Sequence, residues 1–160
     1  MNPTINSLSL TYCNISAEGA RPIFEILIYT KSNLKEINLT GNHLRNEGIP
    51  LIMRGLSVNK SLTKIYLADN QFGEEESVLD SIKYAWSKNT HLGRYDFKYN
   101  AINDAGVEKL TQYMEEYSHI YDVEIGERIG KDVMAAFKER LKSNKPKKKK
   151  KKGKKSKKKK

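Results

Sequence analysis

Three histidines, one cysteine and a run of three glutamates are the residues of this chain best suited to acid–base, nucleophilic or metal chemistry. Their spacing assembles none of them into a working set. His43, His91 and His119 form no HxxxH pair and Cys13 no CxxC pair, the local pairings from which tetrahedral metal sites are usually built. Glu74, Glu75 and Glu76 stand where a helix is expected to begin, and acids there complement the positive end of the helix dipole. Residues 126–132, GERIGKD, invite comparison with a phosphate-binding loop. They are one spacer short, and Asp132 stands where a hydroxyl would bind magnesium. No nucleophile, base and oxyanion donor come together. The expectation is a chain with no catalytic residues, metal, cofactor or small-molecule substrate.

What the sequence does repeat is apolar spacing. Ile5-Leu8-Leu10, Leu34-Ile37-Leu39, Leu62-Ile65-Leu67 and Leu92-Tyr95-Phe97 start 29, 28 and 30 residues apart. Each is followed, three residues after its last member, by Cys13, Asn42, Asn70 or Asn100, and then by an apolar residue, Ile15, Leu44, Phe72 or Ile102. A degenerate fifth copy, Ile120-Val123-Ile125, begins 28 residues after the fourth, with Arg128 in the Asn slot and Gly130 in the apolar one. Self-similarity at this period signals a stacked array. Within a unit the second and third apolar positions alternate with polar neighbours, as in a short strand with one buried face. Strands are expected near 7–10, 36–40, 64–68, 94–98 and 122–125. An Asn just beyond the strand can satisfy main-chain donors and acceptors left unpaired as the chain departs. Cys13, small and tolerant of burial, is expected to fill the same slot.

Helical spacing follows each loop. Gly19, Ala20, Ile23, Leu27; Gly48, Ile49, Ile52, Leu56; and Gly106, Val107, Leu110, Met114 place one apolar face inward, with the glycine expected to let the helix approach the strand layer. The third unit lacks that glycine, and a two-residue insertion brings Leu79, Ile82 and Trp86 into register. Helices are expected near 19–31, 48–58, 77–88, 105–117 and 131–142, with Tyr84, Tyr113 and Tyr117 packed between them. The pattern LxxLxLxx(N/C)x(L/I/F) with a Gly-led amphipathic helix, over residues 5–142, resembles the leucine-rich repeat superfamily, in its ribonuclease-inhibitor-like class. The resemblance implies an α/β solenoid, a short right-handed horseshoe arc with parallel strands on the concave face and helices outside. It names no function, because the fold hosts unrelated activities.

Two regions follow from the charge. Residues 145–160 hold thirteen of the chain's thirty basic residues and no acid; the remaining seventeen face nineteen acids, so residues 1–144 carry a net charge of −2 against +11 for the whole. Residues 1–144 are read as an array of about five units, the last a C-terminal cap. Residues 145–160 are read as a disordered tail, self-repelling and without a large apolar side chain. Its lysines, Lys145, Lys147, Lys148, Lys149, Lys150, Lys151, Lys152, Lys154, Lys155, Lys157, Lys158, Lys159 and Lys160, are the candidate polyanion-binding residues. With no Arg or aromatic among them they read charge and not base sequence. Tubulin's acidic tails, nucleic acid and anionic lipid are the candidate surfaces, and a nuclear import signal is a further reading. The first unit shows no cap; its edge is covered by a partner or by further sequence, or is a tolerated short edge. Met1-Asn2-Pro3-Thr4 carries no basic or apolar signal-peptide region, no apolar run of about 18 residues exists for a membrane span, and a single cysteine permits no internal disulfide. The Asn14, Asn38 and Asn59 glycosylation patterns are therefore expected to be coincidences. The expected location is the cytoplasm, at the cytoskeleton or a cilium, with the nucleus as the alternative.

Strand residues that face away from the core stack side by side across units. Tyr12, Glu36, Lys64, Tyr66, Arg94, Asp96, Lys98 and Tyr99 form the candidate partner-binding face, mixed in charge and carrying three tyrosines; Tyr and Arg tend to anchor protein interfaces. The leading expectation is a non-catalytic interaction module that docks a protein partner, within a larger cytoskeletal or ciliary assembly, while the tail holds an acidic surface. Three alternatives remain open: a GTPase regulator similar to the Ran GTPase-activating protein, an actin pointed-end binder similar to the tropomodulin C-terminal domain, and a nuclear or nucleic-acid adaptor. Purified protein is expected neither to hydrolyse nucleotides nor to accelerate a GTPase. Stimulated Ran-type GTP hydrolysis that disappears in Arg94→Ala or Asn70→Ala would restore the regulator reading.

Overall fold

The computed structural model describes residues 4–146. Five three-residue strands, β1 Ser7–Ser9, β2 Glu36–Asn38, β3 Lys64–Tyr66, β4 Arg94–Asp96 and β5 Asp122–Glu124, alternate with helices α1 Ala20–Ile28, α2 Arg45–Val58, α3 Glu76–Lys88, α4 Asp104–Glu116 and α5 Lys131–Asn144. The strands form one parallel sheet in the order β1-β2-β3-β4-β5. Leu8 pairs with Ile37, Ile37 with Ile65, Ile65 with Tyr95 and Tyr95 with Val123. These are the equivalent apolar positions of successive units, so the repeat read from the sequence is the register of the sheet. Main-chain bonds continue past the strands, from Leu39 N to Tyr66 O, Leu67 N to Asp96 O and Phe97 N to Glu124 O, which is why the expected strands run one to two residues longer. α1 ends three residues sooner than expected and α2 begins three sooner.

One core runs between sheet and helices. From the second unit on, the apolar strand positions are buried, as are Ile49, Ile52, Leu56, Leu79, Ile82, Trp86, Val107, Leu110 and Met114. The two-residue insertion before α3 is thus where the pattern requires it. The first unit is less covered, since among the described residues none stacks on its outer side: Ile5 is 44% exposed, and Leu8, Leu10 and Ile15 are half-buried. Trp86, Tyr95, Phe97 and Phe72 form an aromatic cluster with ring centroids 5.6–5.7 Å apart. The Tyr95 phenol is enclosed there, and burial raises its pKa far above the ordinary value.

Three local expectations are corrected. The helix-start glycines do not admit the strand layer. A Cβ at Gly48 would lie 3.2 Å from Ala17 Cα, and one at Gly106 would lie 2.8 Å from both Glu74 Cβ and Ile102 Cγ2. What approaches is mainly the loop of the preceding unit. Glu74 does not belong to the start of α3, which begins at Glu76; it accepts hydrogen bonds from Asn103 N and Nδ2, at 3.3 and 2.6 Å. In the fifth unit Gly130 does not leave the apolar slot empty, since Ile129, one residue earlier, is half-buried against the core. Gly130 N instead donates to Asp104 Oδ1 at 2.9 Å. α5 closes the array by burying Phe137, with Val133, Met134 and Leu141 half-covered.

Side-chain amides link the units on both rims of the arc. On the rim where strands end, Asn42 Oδ1 accepts from Cys13 N and Ile15 N while Nδ2 donates to Leu10 O and Leu39 O. Asn100 does the same for Asn70 N, Leu67 O and Phe97 O. Asn70 is different: Nδ2 donates to Leu39 O and Ala68 O, both at 2.9 Å, but its buried Oδ1 has no partner. The preceding loop turns early into α2 with Arg45 at φ 54°, and Arg45 N donates to the Asn70 main-chain oxygen instead. Cys13 is exposed, and its thiol donates to Thr11 O within its own unit, so it does not act as a buried rung. On the opposite rim, Asn59 donates to Leu27 O, Asn89 to Leu56 O, and Asn144 to Met114 O and Ile120 O. Half-buried His119 lies there with its Nε2 enclosed and unpaired, and burial lowers its pKa.

The bonding of the first rim orders the stabilities. Asn42→Ala and Asn100→Ala each leave donors and acceptors unpaired and are expected to lose about 2–4 kcal/mol. Asn70→Ala orphans no main-chain group, because Leu39 O also accepts from Asn42 Nδ2 and Ala68 O from Gly41 N; its loss should be about 1–2 kcal/mol, and Cys13→Ala should fall within about 0.5 kcal/mol of the parent. Chemical denaturation of the four variants checks the order, and an Asn70 loss equal to that of Asn42 would contradict it.

Candidate functional site

The candidate face is the inner surface of the sheet and the turn just beyond it, and the structure divides its residues into two groups. The first is a charge network across β3, β4 and β5. Lys98 Nζ lies 2.6 Å from Glu124 Oε2 and 3.8 Å from Asp96 Oδ2, Lys64 Nζ lies 3.8 Å from Glu124 Oε1, and Arg94 Nε donates to Asp122 Oδ2 at 2.9 Å. The Asp122 hydrogen bond raises the Arg94 pKa, and the Glu124 hydrogen bond raises that of Lys98. Asp96 is only 7% exposed, and burial raises its carboxyl pKa. It lies on the face but is covered, and so offers a partner little surface. Lys64 Nζ sits 4.2 Å from the Tyr66 ring centroid, a cation–π arrangement that leaves Tyr66 half-buried. Glu36, at the start of β2, is likewise half-buried.

The second group is the residue that immediately precedes each ladder position. Tyr12, Gly41, Asp69 and Tyr99 have φ values of 52°, 71°, 52° and 57°. The chain therefore passes through the left-handed region at this position in each of the first four units, where a bulky side chain is an outlier. Glycine is the residue that relieves this, and one of the four positions has it. Gly41 serves a second need, because a Cβ there would run into the Tyr12 ring. Tyr12 and Tyr99 are 74% and 73% exposed, so neither recovers the strain by burial. They stand three units apart, with Gly41 and Asp69 between them, at the strand-end rim of the face. The alternating pattern had placed both tyrosines on the face, but a left-handed turn leaves no periodic signature, and only Gly41 hinted at it.

This rim is lined rather than pocketed. Tyr99, Ile102, Gly126, Arg128 and Ile129 border an open recess of about 370 Å³, and Gln71 Nε2 lies 2.6 Å from His43 Nδ1 between neighbouring loops. Among the described residues no three His, Cys, Asp or Glu side chains group as metal ligands, and no helix is long and apolar enough to cross a membrane. Lys145 is exposed just beyond α5. The other twelve candidate tail lysines lie outside the described residues.

Comparisons with known proteins agree on the architecture. A family model described as Leucine Rich repeat matches residues 2–24, 30–52 and 88–110, passing over the unit that carries the insertion. The chain is 28% identical over 108 residues to chicken (Gallus gallus) leucine-rich repeat-containing protein 45, covering 68% of this chain and 16% of that protein. It is 29% identical over 123 residues to human NACHT, LRR and PYD domains-containing protein 5, covering 76% and 10%. Pig (Sus scrofa) ribonuclease inhibitor is 26% identical over 113 residues, covering 70% and 24%. The chain thus spans less than a quarter of the length of these curated relatives. Among solved structures, leiomodin-1 actin-binding site 2 superposes with a TM-score of 0.76 at 16% identity, covering 89% of this chain and 82% of that one. The tropomodulin C-terminal domain of Caenorhabditis elegans gives 0.69 at 13%, covering 89% and 86%.

The strained tyrosines carry a stability signature. Tyr99→Gly removes a left-handed side chain without emptying the core and is expected to hold stability or raise it by up to about 1 kcal/mol. Tyr99→Ala keeps a Cβ in that region and should gain nothing. Thermal and chemical denaturation of both check this; a Tyr99→Gly loss of about 1.5 kcal/mol or more would show that the ring packs structurally.

Proposed function

The chain belongs to the leucine-rich repeat superfamily, and on that footing we propose that it is a non-catalytic interaction module that docks a folded protein on its concave face. The observation that carries this is the pair Tyr12 and Tyr99. Two large side chains are held in left-handed backbone and left open to solvent, where stability alone favours glycine. Strain retained at exposed positions is a pointer to function. The charge network below them, already paired internally, supplies a fixed pattern of potential that favours matched partners over mismatched ones. Tyr66 and Arg94 continue the surface toward its centre.

The partner to test first is actin. Support comes from the array-length likeness to leiomodin-1 actin-binding site 2, a likeness of fold that makes the same mode of docking geometrically available. The lysine-rich tail adds a second, less selective contact with an acidic surface, in keeping with a cytoplasmic, cytoskeletal location. Tubulin's acidic tails are the competing target for that contact. Charge contacts of this kind are screened over roughly 8 Å at physiological ionic strength, whereas shaped contacts through tyrosines are not, and this separates the two.

Full-length protein is expected to co-sediment with actin filaments, with part of the binding persisting as salt rises. Tyr66→Ala combined with Tyr99→Ala should remove the salt-resistant part, on the order of tenfold or more for two anchor residues. A full-length variant with the tail lysines replaced by glutamine should lose the salt-sensitive part only. If the tyrosine pair leaves binding unchanged while the tail variant abolishes it, the concave face is not the recognition surface. Binding to microtubules but not actin would move the proposal to tubulin.

A further inference from the structure

The four loops that lead from a helix to the next strand, residues 29–35, 59–63, 89–93 and 117–121, contain no Asp or Glu. They carry Lys31, Lys35 and Lys60, all exposed and none within ion-pair distance of an acid, and Lys88 closes α3 beside them. The helix ends beside these loops add Glu115 and Glu116 at the close of α4, each already paired, with Arg140 and Lys83. The opposite rim is mixed, its loops and helix starts holding Glu18, Glu47, Glu74, Glu75, Glu76 and Asp104 beside Arg45, Arg128 and Lys131. Lysines within the last turn of a helix complement its dipole, but neither α1 nor α2 has a basic residue in its last turn. Lys31, Lys35 and Lys60 lie beyond those helices, so the dipole does not account for them.

Exposed apolar side chains collect on this same edge. Ile28 and Val58 are the last residues of α1 and α2, Tyr29 follows α1, and Tyr84 lies one turn from the end of α3. They are 39%, 56%, 37% and 50% exposed. Tyr84 was expected to pack between helices; it stands out from them instead, with Lys88 Nζ 5.8 Å from its ring centroid. The end of α5 joins this edge as well, because Asn144 Nδ2 donates to Met114 O at the end of α4 and to Ile120 O in the loop before β5. The lysine-rich tail therefore starts from the basic edge.

We propose that this edge docks on an anionic lipid bilayer, with Lys31, Lys35 and Lys60 at the headgroups and Ile28, Val58 and Tyr84 in the interface. An acidic polypeptide or a nucleic acid would satisfy the lysines and leave the aliphatic side chains in water. A bilayer surface takes both, the charges by its negative potential and the apolar groups at the headgroup–acyl boundary. Tyr is at home at that depth, and lysine stems reach along apolar surface while their ammonium groups stay hydrated. One polybasic segment or a few apolar side chains alone hold a membrane weakly, and the two together hold it stably. The inference extends the tail's role in the preceding proposal and is independent of the concave face.

Flotation of the full-length chain with vesicles of phosphatidylcholine, with and without phosphatidylserine, tests it. Binding is expected only to the phosphatidylserine vesicles. Lys31→Gln, Lys35→Gln and Lys60→Gln together should weaken it by about fivefold per lysine removed, with the tail intact. Ile28→Ser with Val58→Ser should keep binding at low salt and lose what persists at about 0.5 M salt, where screening has shortened to a few ångström. Actin co-sedimentation of the same edge variants should match the parent, which separates failure here from failure of the concave face. The proposal is overturned if both edge variants float like the parent while the glutamine-tail variant does not. It is equally overturned if soluble polyglutamate or RNA is retained more strongly than the vesicles.

Discussion

Everything in this molecule depends on how a parallel sheet of three-residue strands is kept in register by groups outside the strands. So short a strand brings few ladder hydrogen bonds of its own, and the main chain at each end must find partners elsewhere. Asn42 and Asn100 supply them on one rim, each joining two units through one side-chain amide. Asn59 and Asn89 supply them on the other, with Asn144 tying the end of α4 to the loop before β5 where the sequence has no Asn at the equivalent place. With both rims clamped, the apolar strand positions are held in line, and the core between sheet and helices can be one continuous layer.

This explains what could be read from residue order and what could not. The strand register was legible because a burial requirement recurs at fixed offsets, and Leu8, Ile37, Ile65, Tyr95 and Val123 pair as the spacing demands. The insertion before α3 was legible for the same reason, since only a two-residue shift buries Leu79, Ile82 and Trp86 together. What spacing conceals is direction. Cys13 occupies a rung by count, yet no carbonyl of a preceding unit lies among the described residues for it to meet, and it is exposed. Asn70 occupies a rung and uses half of it, because the early turn at Arg45 takes the neighbouring amides away. The second row of amides was visible as Asn59 and Asn89 before each strand, but a linear reading treats them as loop residues. Their bonds run to units 30 or more residues away.

The candidate site follows the same division. Alternation along a strand correctly separates core from face, so Lys64, Tyr66, Arg94, Lys98 and Glu124 lie together on one surface. It does not tell which of them are already committed to one another. Asp96 shares the face by position and is lost to a partner by burial, under lysines that neutralise it. Tyr12 and Tyr99 remain free for a reason the alternation cannot encode. The chain has turned into the left-handed region by the time it reaches them, and their side chains stay exposed.

A stacked array gives a protein two kinds of surface with different rules. Strand positions are tied to the core on every second residue, so the concave face can vary only in the gaps, and its charges settle into fixed pairs. The loops between helix and strand carry fewer such ties, since the main chain there is held by Asn59, Asn89 and Asn144 from behind. Residues at their tips can collect one sign of charge over several units without disturbing the core. That freedom has been used in the loops between helix and strand, which are acid-free and carry three lysines on the edge from which the tail departs. A shaped face and a charged edge on the same rigid arc can therefore engage two partners at once, and neither contact has to distort the sheet that the amide rows hold in register.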